Sequence, residues 1–158
     1  MKRWPGISLF NPVHFLALGF GSGLIKKAPG TWGTVAAIPV VGLLSLFPLS
    51  VMAVFIVVGT LAGILICRKT ADKMGVHDHP AIVWDEIIGY AIAMFALPFS
   101  WTYVLAAFVL FRFFDILKPW PIGWVDKRLT GGSGIMMDDV LAGIVSCLLI
   151  HAGQYALL

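Results

Sequence analysis

Residues 76–89 read Val-His-Asp-His-Pro-Ala-Ile-Val-Trp-Asp-Glu-Ile-Ile-Gly, and the rest of the chain is organised around this stretch. It holds two of the four histidines and three of the eight acidic residues in a chain that is 59% hydrophobic and only 12% charged. A soluble domain carries about a quarter of its residues as charged ones. The composition therefore predicts a membrane protein, with its polar chemistry concentrated in and near residues 76–89.

The 158 residues are the length of one domain, and we expect residues 1–158 to form a single integral-membrane domain. The formal net charge of +3 is mild and its basic residues are scattered, which argues against a nucleic-acid partner and favours an anionic lipid surface. Cys67 and Cys147 lie in apolar runs without CxxC or histidine spacing, so neither a zinc site nor a disulfide framework is indicated.

Apolar runs separated by short turns predict an all-α, polytopic membrane bundle. We expect about five membrane helices, preceded by a short helix that has Asn11 as its N-cap, Pro12 at its first position and its end near Phe20. The five runs cover residues 35–47, 51–67, 87–97, 101–117 and 140–158.

If all five runs cross the membrane, the charged residues fall on one side of it. The opposite turns, residues 48–50 and 98–100, carry no charge, and basic residues favour the cytoplasmic face. The segment from Asp85 to Pro98 would span only about 20 Å as a helix, which is shorter than the ~30 Å hydrocarbon core. The acidic residues are therefore expected to line a recess that opens to the cytoplasm.

Two pairs of adjacent carboxylates have the chemistry of a metal site. Asp85-Glu86 and Asp138-Asp139 are each expected at the start of a helix, and oxygen ligands of this kind suit Mg²⁺. The alternative is that both pairs only cap their helices. Two such pairs on one side of a chain poor in acids favour metal binding.

Arg112, Asp115 and Lys118 are spaced three residues apart, which places them on one broad face of the fourth long helix. Either Arg112 and Asp115 only neutralise each other, or Asp115 joins the metal site while Arg112 and Lys118 hold phosphate oxygens. The sequence leaves both readings open.

Two further motifs lie close to these residues along the chain. His77 and Asp78 precede the first acidic pair and are candidates for metal binding or proton transfer, although an ordinary polar turn gives the same pattern. Residues 19–34 are expected to form a glycine-rich loop whose backbone N–H groups, with the hydroxyls of Thr31 and Thr34, bind an anion, although a loop made only of turn residues has the same composition.

Residues 131–134 are read as a second glycine-rich loop that leads to Asp138 and Asp139. It closes a polar segment from Lys118 to Gly134, which the sequence predicts to be a loop.

With these pieces assembled, the chain resembles the phosphatidylglycerophosphatase A family of bacterial membrane enzymes. The matching motifs run in order along most of the sequence: residues 19–24, 29–34, 76–79, 82–89, 112–122 and 131–143. The resemblance implies a Mg²⁺-dependent phosphatase of the bacterial inner membrane, multi-pass, with its active site facing the cytoplasm. Its substrate would be phosphatidylglycerophosphate, hydrolysed to phosphatidylglycerol and inorganic phosphate in the last step of phosphatidylglycerol synthesis.

The roles we expect on this basis divide the polar residues into three groups. The family's acidic and basic motif positions correspond to Asp78, Asp85, Glu86, Asp115, Asp138 and Asp139, and to Arg112 and Lys118. The metal ligands would be Asp85, Glu86, Asp138 and Asp139; the substrate-binding residues would be Thr31, Thr34, Arg112 and Lys118; and the catalytic residues would be His77, Asp78 and Asp115.

An ion or proton transporter is the alternative function, with the same carboxylates lining a conduction path. A transporter predicts polar residues through the whole depth of the bilayer, whereas the outer halves of the apolar runs here carry almost none. A non-catalytic membrane subunit would leave both carboxylate pairs unexplained.

Overall fold

A computed structural model describes residues 6–76 and 79–156, and every regular element in these ranges is helical, as predicted. His77 and Asp78 lie outside the described residues. The elements are α1 (Pro12–Ala17), a short 3-10 helix (Gly19–Leu24), α2 (Pro29–Leu44), α3 (Leu49–Met74), α4 (Trp84–Ala93), α5 (Trp101–Leu117), α6 (Ile122–Arg128) and α7 (Gly131–Ala156).

The first helix begins as expected and ends early. The side chain of Asn11 accepts a hydrogen bond of 2.9 Å from the backbone N–H of Val13, and Pro12 occupies the first turn. The helix stops at Ala17 rather than near Phe20, because Phe20 and Gly21 have φ values of 60° and 96°, which a right-handed helix cannot contain.

Helix α4 is the centre of the bundle. It packs against α2, α3, α5 and α7, and Trp84 and all residues from Ile87 to Ala93 are buried. Its ten residues span about 15 Å, and the chain leaves the helix after Ala93, with Ala96 at a φ of 59°. Protein neighbours therefore enclose α4, and the apolar run at residues 87–97 is core sequence, too short to cross a bilayer.

Glycines bring α4 and α7 into backbone contact. A Cβ atom at Gly143 would lie 2.3 Å from the carbonyl oxygen of Gly89, and a Cβ at Gly89 would lie 2.8 Å from the carbonyl oxygen of Asp139. Only glycine permits this approach, and it holds the acidic stretch of α7 against α4.

Within residues 6–76 and 79–156, two helices are long and apolar enough to cross a membrane, α3 and α7. Each has 26 residues and spans about 39 Å, more than the ~30 Å hydrocarbon core. Helix α3 is the less covered of the two and exposes Val54, Leu61 and Leu65 by more than half. These surfaces indicate a membrane protein. The prediction of five spans is not confirmed, because α2 and α5 are shorter, at 16 and 17 residues, and α4 is enclosed.

The predicted glycine-rich loops are helical, which corrects the sequence interpretation. Residues 29–34 form the first turns of α2, and residues 131–134 the first turn of α7. Their glycines serve packing, because a Cβ at Gly33 would lie 2.6 Å from Cβ of Val83 and one at Gly132 would lie 1.8 Å from the carbonyl oxygen of Ile64.

Two further expectations for this part of the chain were also wrong. The segment predicted as a loop from Lys118 to Gly134 contains α6 and the start of α7. As a result, Asp138 and Asp139 lie two turns inside α7 and not at its start, so helix capping does not account for this pair.

Candidate active site

The polar residues converge on a cavity of about 280 Å³ at one end of the bundle. The N-terminal ends of α2 and α4, the C-terminal end of α5 and the third turn of α7 form its walls. The charged side chains lining it are Asp85, Glu86, Arg112, Asp115, Lys118, Asp138 and Asp139. The remaining lining residues are Ala28, Pro29, Gly30, Pro80, Ile82, Ile116 and Ile135.

Asp85 and Glu86 occupy the first turn of α4, as predicted. Asp85 Oδ1 and Glu86 Oε2 are buried and have no hydrogen-bond partner among the described residues. The N-terminal end of the helix dipole favours their negative charge, but by no more than ~2 kcal/mol even in partly buried sites. Two buried carboxylates therefore need a further source of positive charge.

Asp138 and Asp139 are almost fully enclosed, with exposures of 5% and 2%. Asp138 Oδ1 and Asp139 Oδ2 are buried without a hydrogen-bond partner in the described part of the chain. Consecutive helical residues are about 100° apart, so the two side chains have different neighbours, although each offers an oxygen within 4.8 Å of the other's. Asp138 contacts Lys118, whereas Asp139 lies close to Asp85 and Glu86.

Arg112 links two acidic residues on different helices. Its guanidinium donates a hydrogen bond to Asp115 Oδ2 on the same helix, and its Nη1 lies 3.8 Å from Glu86 Oε1 on α4. Its Nε is buried without a hydrogen-bond partner among the described residues. The ion pair with Asp115 exists, as one reading of the sequence predicted, and it leaves an unused donor beside the cavity.

Lys118 sits where α5 ends, in a left-handed conformation with φ of 44°. Its ammonium group donates hydrogen bonds to Asp126 Oδ1 at 2.7 Å and to Asp138 Oδ2 at 2.6 Å. Burial alone would lower the pKa of Lys118, but the hydrogen bonds with Asp126 and Asp138 outweigh it and raise that pKa above its ordinary value. Lys118 is therefore a permanent cation that joins α5, α6 and α7.

Asp126 is a site residue that the sequence interpretation missed. It lies on α6, within the segment read as a loop, and nothing in its immediate sequence marks it. A carboxylate eight residues after Lys118 was the available signal, since a short helix between them can turn it back towards the lysine.

The residues expected to bind an anion at the start of α2 divide into two kinds. Gly30 lines the cavity, and the N–H groups of a helix's first turn have no intrahelical partner, so this end of α2 can donate to an anion. Thr34 is fully buried and donates its hydroxyl to the carbonyl oxygen of Gly30 at 3.0 Å. Neither Thr34 nor the half-buried Thr31 lines the cavity.

The carboxylates fit a divalent cation. Among the described residues, two sets of three carboxylates can each place one oxygen per residue within 4.8 Å of the other two. The first set is Asp85, Glu86 and Asp139, and the second is Asp115, Asp138 and Asp139. All donors are oxygen atoms, which hard cations such as Mg²⁺ prefer. The orphaned oxygens of Asp85, Glu86, Asp138 and Asp139 are the atoms that a bound cation would satisfy.

A cavity whose described residues include five carboxylates, an arginine and a lysine, at one end of an apolar helical bundle, has the chemistry of an enzyme that handles phosphate. Comparison with known proteins supports this class. The family described as Phosphatidylglycerophosphatase A matches residues 15–154, and the chain belongs to that family and is a phosphatase.

Three relatives cover nearly the whole chain. A Haemophilus influenzae protein named Phosphatidylglycerophosphatase A is 54% identical over 96% of this chain and 94% of its own length. An Escherichia coli protein of the same name is 47% identical over 92% of this chain and 85% of its own. A Bacteroides thetaiotaomicron protein named Putative phosphatidylinositol-3-phosphatase is 39% identical over 94% of this chain and 96% of its own length. No solved structure matches the chain.

Proposed function

We propose that this protein is a Mg²⁺-dependent lipid phosphatase that hydrolyses phosphatidylglycerophosphate to phosphatidylglycerol and inorganic phosphate, the last step in making that lipid. The observation that carries the proposal is the enclosed cavity in which five carboxylates surround one arginine and one lysine. The names of the Haemophilus and Escherichia relatives support the choice of substrate. The transporter alternative is not favoured, because the charged residues that form the cavity are confined to one end of the bundle.

Each group of residues has a distinct part in this reaction. Asp85, Glu86, Asp138 and Asp139 would hold the cation, which supplies Lewis acidity and charge neutralisation to phosphoryl transfer. Arg112 is oriented by Asp115 and presents its free Nε to a phosphate oxygen.

Two further elements bind and orient the phosphate group. Lys118 contributes a fixed positive charge next to Asp138. The first turn of α2 offers backbone N–H groups to the same anion through the wall that Gly30 forms. Together with Arg112, these donors are aimed at the equatorial oxygens on which negative charge spreads during phosphoryl transfer.

The apolar helices around the cavity support a lipid substrate at the membrane surface. Helices α3 and α7 are long enough to cross the bilayer, and α5 exposes the apolar stripe Leu105, Val109, Phe113 and Ile116 on its outer side. The cavity lies at the end of α5 that follows this stripe. The phosphate group of a lipid can therefore enter the cavity from the head-group layer while the acyl chains remain in the membrane.

The orientation we propose is multi-pass in the bacterial inner membrane, with the cavity on the cytoplasmic side. Exposed basic residues lie on the segments that adjoin the cavity end of the bundle: Lys26, Lys27, Arg68, Lys69, Lys73, Lys127 and Arg128. The turns at the other end, residues 45–48 and 96–100, carry no charge. Basic residues near spans favour the cytoplasmic face.

The decisive experiment measures phosphate release from phosphatidylglycerophosphate by the purified protein in detergent, with Mg²⁺ and after chelation. We expect release that requires Mg²⁺ and that Asp85→Asn and Asp139→Asn each reduce by at least about 100-fold, as expected when the cation that drives phosphoryl transfer loses a ligand. Asp72→Asn is the control, because Asp72 is an exposed partner of Arg68 outside the cavity. No release, or release that either cavity variant leaves intact, would contradict the proposal.

Substrate choice is tested in the same assay with phosphatidylinositol-3-phosphate, since the Bacteroides relative bears that activity in its name. We expect faster release from phosphatidylglycerophosphate. The opposite order would keep the phosphatase assignment and reject the substrate.

A further inference from the structure

We infer that the cavity binds two divalent cations that share Asp139 as a bridging ligand. This inference rests on the proposed function, because it specifies the metal content of the same site. It begins with the two carboxylate sets, Asp85 with Glu86 and Asp139, and Asp115 with Asp138 and Asp139. Each set supplies three oxygen ligands within 4.8 Å of one another, and Asp139 is common to both.

The two sets draw on different helices besides α7. The first joins α4 to α7, and the second joins α5 to α7. A carboxylate has two oxygens and can bind one cation with each, so Asp139 can serve as a ligand in both sets at once. Two-metal phosphatase sites hold their ions about 3.5–4 Å apart, the span that one bridging carboxylate provides.

Burial gives independent support for a ligand at Asp139 and Asp138. Both are more than nine-tenths buried, and each has one side-chain oxygen without a hydrogen-bond partner among the described residues. The other oxygen of Asp138, Oδ2, accepts a hydrogen bond from the Lys118 ammonium group. The Oδ1 atom of Asp138 is therefore available to a cation, and the bond to Lys118 does not use it.

The charges around the cavity also favour two cations. When all five carboxylates that line the cavity are ionised, they carry three more negative charges than the described cations of the cavity, Arg112 and Lys118, can neutralise. One divalent cation reduces this to one negative charge, so a phosphate dianion entering the cavity would raise it to three again. Two cations make the cavity positive by one charge before the phosphate enters. Since uncompensated charge is costly in an enclosed site, two cations suit a dianionic substrate better than one.

The test uses the full-length protein in detergent and Mn²⁺ as the probe, because Mn²⁺ takes the same kind of oxygen ligands and is paramagnetic. Equilibrium dialysis counts bound Mn²⁺, and electron paramagnetic resonance shows whether the ions are close enough to couple. We expect two Mn²⁺ per chain with a spin-coupled signal. One Mn²⁺ per chain, none, or two without coupling would overturn the inference.

Three variants sharpen the count. Asp115→Asn removes a ligand of the second set only, and we expect one uncoupled Mn²⁺ to remain; retention of a coupled pair would overturn the inference. Asp139→Asn removes the bridge, and we expect weaker binding of both ions, by at least about tenfold. The exposed Asp72→Asn should keep two. Circular dichroism confirms that each variant is folded, and Asp115→Asn carries the test if Asp139→Asn is not.

This outcome is separable from that of the proposed function. A protein that binds one Mn²⁺ and releases phosphate overturns the bridged pair and leaves the phosphatase assignment intact. A protein that binds a coupled pair without releasing phosphate from any lipid phosphomonoester supports the pair and overturns the assignment.

Discussion

Replacing Gly30 with alanine should impair the active site without impairing the fold. Gly30 lies in the first turn of α2, facing the cavity. A Cβ atom at this position would lie 2.2 Å from Glu86 Oε1 and 3.1 Å from Arg112 Nη1. These atoms are the ends of side chains, so the helices can stay in place while the carboxylate and guanidinium move.

The size of the effect follows from these distances. Restoring an ordinary van der Waals separation requires Glu86 Oε1 to move by about 1 Å. It cannot move freely, because the guanidinium of Arg112 lies 3.8 Å away and is itself crowded by the new methyl group. A misplacement of about 1 Å at a reacting centre costs on the order of 100-fold in rate. We therefore expect Gly30→Ala to reduce phosphate release by roughly 10- to 100-fold.

The stability of the same variant should change little, because the better helix propensity of alanine, at most ~1 kcal/mol, offsets part of the cost of moving the two side-chain ends. Phosphate release is measured over a Mg²⁺ titration, and thermal unfolding is followed by circular dichroism. Gly153→Ala is the matched control, since Gly153 is helical, lies in α7 and has no atom within 4 Å of an added Cβ. If Gly30→Ala kept full activity at every Mg²⁺ concentration, the argument that this glycine makes room for Glu86 would be refuted.

Three further predictions concern packing and charge. Gly143→Ala places a Cβ 2.3 Å from the carbonyl oxygen of Gly89. It should lower the free energy of unfolding by about 1–3 kcal/mol relative to Gly153→Ala. An unchanged melting temperature would count against the close contact between α4 and α7. Arg112→Lys keeps the charge but loses the forked donor, and should reduce phosphate release by roughly 10- to 100-fold with unchanged unfolding; equal rates would show that the fork is not used. Asp126→Asn removes the negative charge of one partner of the Lys118 ammonium group and should slow release by only about two- to fivefold, as expected for a partly exposed ion pair. A loss of about 100-fold would assign Asp126 a direct role in the chemistry.

The sequence was informative about chemistry because ionisable residues are costly in an apolar chain. Asp85 and Glu86 stand out for that reason, and the structure brings them together with Asp138 and Asp139, as expected for one shared site. The spacing of Arg112, Asp115 and Lys118 on one helix face placed all three at the cavity. Neither inference needed knowledge of how the helices pack.

The glycine-rich segments were misread because local sequence does not reveal what a glycine packs against. Residues 29–34 have the composition of a loop, yet they are helical. The glycine at position 33 is needed for packing, because a neighbouring residue occupies the space that a side chain there would need. The glycines at the start of α7 were misread in the same way, as a flexible loop. As a result, the second acidic pair was predicted at a helix end, whereas it lies inside α7. Asp126 was missed with it, because a residue's partner across the fold has no signature in its own segment.

The sequence by itself determined the helical class, the apolar character of the chain and most of the charged residues that line the cavity, because these depend on composition, periodicity and side-chain chemistry. Tertiary structure alone decided that α4 is an enclosed core helix, that Gly89 and Gly143 allow α4 and α7 to touch, and that Asp139 belongs to two carboxylate sets. The physical reason is that burial and ligand geometry are properties of the contacts between helices, which no single segment of the chain contains.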